Sequence, residues 1–207
     1  IFKQAIPINL VDIVTMLYKR FDVILISIFL PLNVVAIFDA ANKITMSLQQ
    51  IYVNATYTYY PYISRLWKEN IKKLEESFLK IQQISFMIIL GLVIIMCIFS
   101  KELVFLLLSE KYYESHKILI ILLIAFGISK INGPVDLFIY TNKKIVPKFT
   151  LIYTIMICIS ISLKFSMLKI FSLNGILFTI IITEIFLNII SFYFYKNVIA
   201  MKKFFFP

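Results

Sequence analysis

Asp39 precedes Lys43 by four residues in FDAANKITMSLQQIYVN, the order in which a carboxylate and an ammonium pair well along one helix face. Ser47, Gln50 and Asn54 continue that face, and on a helix at 100° per residue the five fall within an arc of about 80°. Asn9, Asp12, Lys19 and Ser27 share one side of the preceding segment, LVDIVTMLYKRFDVILIS, with Arg20 adjoining it and Lys19 three residues from Asp22. A third stripe lies in SKINGPVDLFIY, where Ser129, Asn132, Gly133, Asp136 and Tyr140 line up beside Lys130. Cations, carboxylates and amides in such stripes hold anions, polar hydroxyls or small cations. They are not a bond-breaking constellation. The chain has one histidine, His116, no Gly-rich phosphate loop and no HExxH or CxxC motif. Cys97 and Cys158 sit inside apolar runs, far from other metal-ligand types, and read as packing residues. Neither an enzyme, a metal nor a cofactor is expected.

The elements that must position these residues are apolar. Of 207 residues, 61% are hydrophobic and 16% aromatic, with only 4 glycines, and several runs approach the ~20 residues that cross a bilayer. The expectation is an all-α integral membrane protein with six transmembrane helices, at roughly 5–30, 33–60, 76–100, 114–141, 145–168 and 173–197. Prolines punctuate them: Pro7 and Pro147 suit helix starts, Pro31 a turn and Pro61 a helix end, whereas Pro134 beside Gly133 predicts a kink inside the fourth span. The formal charge of +10 is explained by where the cations lie. Arg65, Lys68, Lys72, Lys73 and Lys80 follow the second span, Lys143, Lys144 and Lys148 the fourth, and Lys196, Lys202 and Lys203 the last. These ends are expected in the cytoplasm, together with both termini, so the basic excess needs no nucleic acid. Tyr57, Tyr59, Tyr60, Tyr62 and Trp67 mark one membrane interface. KENIKKLEESFLK reads as an amphipathic surface helix or a solvated basic loop.

Lys19, Arg20, Lys43 and Lys130 fall inside the spans, where a central cation costs ~2.5–3.5 kcal/mol unless it is paired, snorkels or meets water. They are expected to point inward, so that the three stripes line one hydrated cavity. Plainer readings stand beside this one. Asp39 and Lys43 form an interfacial pair, Gln49, Gln50 and Asn54 join helices, Lys164 snorkels to the outer surface, and Glu184 packs on a partner helix or carries a proton.

The pattern resembles the oligosaccharide flippases of the polysaccharide export family, in the superfamily that also holds multidrug antiporters. RFDVILISIFLPLNVVAIFDAANKI, YYPYISRLWKEN, FSKELVFLLLSEKYYESHKILIILL and LNGILFTIIITE carry the resemblance in order along nearly the whole chain, although the PLNV turn and the position before Lys111 lack the family's usual Gly. The resemblance implies one six-helix lobe of a two-lobed transporter fold, residues 1–207 being the carboxy-terminal lobe of a longer chain that begins before IFKQAIP. It also implies alternating access across the cytoplasmic membrane, with a polyprenyl-diphosphate-linked oligosaccharide as substrate and the amino-terminal lobe and membrane lipid as partners. Lys19, Arg20 and Lys43 would then hold the diphosphate through charge-assisted bonds, Gln50, Asn54 and Asn132 would contact sugars, and Asp12, Asp39 and Asp136 would balance charge or couple ions. A drug or metabolite antiporter on the same scaffold is the nearest rival, since the intramembrane charge is only slightly basic. A membrane enzyme of glycan assembly would need an acid/base cluster near a large outer loop, and a non-transporting scaffold would use the stripes only to join helices.

Overall fold

The computed structural model describes residues 17–18, 20–69, 71–135, 139 and 145–205, and among these it is helical, with no strand. Helix α1 covers 20–29 and is followed by α2 (Leu32–Tyr57), α3 (Tyr60–Glu69), α4 (Ile71–Ile98), α5 (Ser100–Leu108) and, after a 3-10 turn at Glu110–Tyr112, α6 (Ser115–Ser129) and α7 (Val146–Phe205). Pro31 fixes an extended residue between α1 and α2 (φ −61°, ψ 150°), as a ring-locked φ permits.

Two of these elements differ from the sequence reading. KENIKKLEESFLK is neither a separate surface helix nor a loop: its first residues close α3 and the rest open α4. The physical reason is a shared apolar face, because Ile63 and Leu66 of α3 and Leu74 and Phe78 of α4 enter the same core cluster. The fourth span does more than kink. Helix α6 stops at Ser129, the chain turns through Gly133 at φ 61°, and helix resumes at Val135. A Cβ at Gly133 would stand 3.1 Å from Gln82 Cα, so both the turn and the close approach favour glycine.

Helix α7 is two arms, 146–171 and 173–205, reversing at Ser172 (φ 55°, ψ −138°). Each arm exceeds the ~20 residues needed to span a bilayer. Gly175 makes the reversal possible, since a Cβ there would run into the Met167 carbonyl oxygen.

Among the described residues two helices are long and apolar enough to cross a membrane, Lys73–Ile98 and Val146–Lys196. Only 11% of the apolar window of the first is buried inside the protein. Ile84, Met87, Ile88, Ile95 and Ile98 stand exposed along it. In water a patch of this extent would drive association; hydrocarbon solvates it without penalty. Helix α2, at 26 residues, is about 39 Å long and also sufficient to span, but polar groups occupy two of its faces.

The core is divided. One apolar cluster gathers Leu25 and Ile26 of α1, Phe38, Ala41 and Ile44 of α2, Ile89 and Val93 of α4, Leu119 and Leu123 of α6, and Leu168, Ile176 and Leu177 around the α7 reversal. The other joins α3 and the start of α4 to Val135, Ile139, Ile145, Phe149, Phe194 and Tyr195. Between them come Ser129 at the end of α6 and Asn132 in the turn after it, along the first arm Ser160 and Lys164, and along the second Thr183, Glu184, Asn188 and Ser191. The polar side chains therefore form a layer between two apolar ends.

Candidate functional site

The sequence-derived residues separate onto two surfaces. Arg20, Lys43, Ser47, Gln50 and Asn54 are exposed, on the outside of the bundle, with Asp39 half-buried beside them. Lys43 Nζ lies 2.9 Å from Asp39 Oδ2, the pairing that four-residue spacing predicts. Arg20 belongs to α1 and Lys43 to α2, and both are exposed. Along α2 the remaining groups bond lengthwise: Ser47 Oγ donates to Lys43 O at 2.9 Å and Gln50 Nε2 donates to Asn54 Oδ1 at 3.1 Å. Gln50 and Asn54 thus bond to each other along α2. Lys19, Asp12 and Asp136 lie outside the described residues.

A different face of α2 meets the interior. Asn42, Thr45 and Gln49, together with Tyr18, Asp22, Ser129 and Glu184, line a cavity of about 60 Å³. A second of about 60 Å³, lined by Gln49, Lys130, Asn132, Glu184, Asn188 and Ser191 among others, adjoins it, since Tyr18, Gln49, Ser129 and Glu184 border both. Such volumes hold a few water molecules and exclude an oligosaccharide. The structure separates the described stripe residues: Asn132 faces the interior, whereas Lys43, Gln50 and Asn54 face outward. The reason is that α2 has polar residues on both sides, and the helical period alone assigns neither side to the core.

Asn132 is committed to the fold. Its Nδ2 donates to Asn188 O at 3.0 Å and lies 3.2 Å from Asn188 Oδ1, while Asn188 Nδ2 donates to Ile128 O and to Glu184 O, each at 2.9 Å. Ile128 is in the last turn of α6, whose carbonyls lose their helical acceptor role at the break. Asn188 thus satisfies a broken helix end inside an apolar bundle, as such breaks require.

Sequence reasoning missed the most deeply buried charge among the described residues. Lys164 was expected to snorkel outward, but its side chain has no exposed surface and its Nζ lies 2.6 Å from Asp22 Oδ1. The Tyr18 ring centroid is 3.8 Å from the same ammonium. Tyr18 Oη and Ser160 Oγ share a hydrogen bond of 3.1 Å, and Ser160 Oγ and Thr183 Oγ1 share one of 2.6 Å. The signal available in the sequence was the internal placement of Lys164 one turn after Ser160, four residues apart on one helix face. His116, by contrast, is buried at the start of α6 with Nδ1 2.6 Å from Tyr113 O.

Among the described residues no group of three His, Cys, Asp or Glu could hold a metal ion. The apolar exterior and enclosed polar layer are consistent with a helical membrane protein. Residues 1–67, about a third of the chain, match the family model described as "Polysaccharide biosynthesis protein". The match takes in α1, α2 and nearly all of α3, including the exposed Arg20 and Lys43. No curated protein and no solved structure matches the chain.

Proposed function

We propose that the chain is the carboxy-terminal lobe of a transporter that flips a polyprenyl-diphosphate-linked oligosaccharide across the cytoplasmic membrane. The observation that carries this reading is the exposed polar face of α2, where Lys43, Ser47, Gln50 and Asn54 stand on the outside of an otherwise apolar bundle, with exposed Arg20 on α1, all within the family-matched residues. A charged face cannot be left to lipid without several kcal/mol of penalty. A second lobe across a water-filled cleft gives it a polar environment. In that cleft Arg20 and Lys43 hold the diphosphate by charge-assisted bonds, with Lys19 a further cation of the same segment. Gln50 and Asn54 offer amides to sugar hydroxyls, and Asp39 keeps Lys43 extended.

The lobe works as a transporter component rather than as an enzyme, with both ends of the segment in the cytoplasm and the lipid tail of the substrate remaining in the bilayer. The two lobes rock about the shared cleft, opening it to one side at a time. Asp12, Asp39 and Asp136 are the carboxylates assigned to charge balance or ion coupling.

The test is Arg20→Ala combined with Lys43→Ala in cells that depend on the protein for surface glycan. Each charged hydrogen bond contributes ~1.5–3 kcal/mol, so the pair is expected to cut glycan export by more than about tenfold at unchanged protein level. Normal surface glycan in the double variant would remove the diphosphate role.

A further inference from the structure

Helix α1 packs Leu25 and Ile26 into the first apolar cluster, but apolar side chains also cover its other faces. Ile24, Ile28 and Phe29 on those faces are exposed. Hydrocarbon tails are as apolar as leucine, so in a membrane burying one of these faces rather than another changes little. Polar contacts add a preference that packing alone does not supply. Those contacts are Asp22 of α1 and Tyr18, four residues before it, which reach Lys164 and Ser160 of the first α7 arm. Arg20 is two residues from Asp22, about 200° around the helix. Holding Asp22 against Lys164 therefore turns Arg20 outward, where it is exposed.

We infer that Lys164 is a positioning residue: through its buried pair with Asp22 it sets the rotation of α1 and so presents Arg20 on the outer surface. This inference rests on the proposed substrate role of Arg20 only for its transport consequence; the rotation itself is independent of it. A buried ion pair is weak evidence of stability. Replacing both partners by apolar residues is often neutral or stabilising, whereas removing one leaves a buried charge uncompensated. Orientation, not stability, is then what the pair contributes.

The test uses the full chain in membranes, with Cys97→Ala and Cys158→Ala and a reporter Arg20→Cys labelled by a charged, water-soluble methanethiosulfonate. With the pair intact the reporter labels rapidly. In Asp22→Leu with Lys164→Met, which leaves no lone charge, labelling is expected to slow by about tenfold, the scale of one interhelical polar contact. In the exchanged variant Asp22→Lys with Lys164→Asp it is expected to return. An unchanged labelling rate in the apolar double variant overturns the inference, as does slow labelling in the exchanged variant when both proteins are inserted at normal level. A parallel export measurement, made with Arg20 restored, separates the two readings. Loss in the apolar variant and recovery in the exchanged one supports both. Slowed labelling with normal export keeps the rotation and refutes the role of Arg20 in transport.

Discussion

Asn188→Leu is the most informative single perturbation of the polar layer. Leucine is of similar volume and leaves no large void, so the effect isolates the hydrogen bonds. The side chain donates to Ile128 O and Glu184 O at 2.9 Å each, and its Oδ1 lies 3.2 Å from Asn132 Nδ2. The bond to Glu184 O lies within one helix and its loss matters least, because that carbonyl is already in a helical ladder. Ile128 O keeps the Ile131 N–H at 3.2 Å, and Asn132 keeps the Asn188 backbone oxygen at 3.0 Å. Neither group is wholly orphaned. The loss is thus close to two interhelical contacts rather than two buried orphans, and such contacts average ~0.6 and reach ~1.7 kcal/mol in membranes. The expected destabilisation is about 1–3 kcal/mol, read as a shift in reversible unfolding in mixed micelles. Proteolytic nicking should rise at 130–134, where the break loses its partner. A variant as stable as the parent and no more readily nicked would show that the α6 break is held by something other than Asn188.

Gly175→Ala should destabilise by more than ~1–3 kcal/mol, the ordinary overpacking cost, because its Cβ would run into the Met167 carbonyl oxygen; a parent-like unfolding midpoint would contradict the close reversal. Cysteines at Ser47, Gln50 and Asn54 should react with charged thiol reagents, while one at the buried Ala41 should not; protection at all three outward positions would remove the cleft. Asp39→Asn should change stability by less than ~1 kcal/mol, since exposed pairs contribute little, and Lys43 is an exposed partner. A loss of several kcal/mol would mean that the pair is buried against another lobe.

The succession of apolar segments, the turn at Pro31 and the close Asp39–Lys43 pair were legible in the sequence because each depends on residues within one or two turns of each other. Helical period and side-chain reach suffice for those. The interruption at Gly133 and Pro134 was legible as a disturbance, but its repair by Asn188 was not, since the partner lies on the second arm of α7. Which face of α2 is interior was also undetermined: Gln49 and Gln50 are adjacent and chemically identical, and only packing against α6 and α7 sends the first inward and leaves the second outside. Lys164 is the sharpest case. Its position in the chain allowed it to reach the membrane surface, and only the tertiary structure, by placing Asp22 and Tyr18 against the first α7 arm, made an inward ammonium cheaper than a snorkelling one. A lone buried charge is prohibitive and a paired one is not, and the pair spans 142 residues of chain.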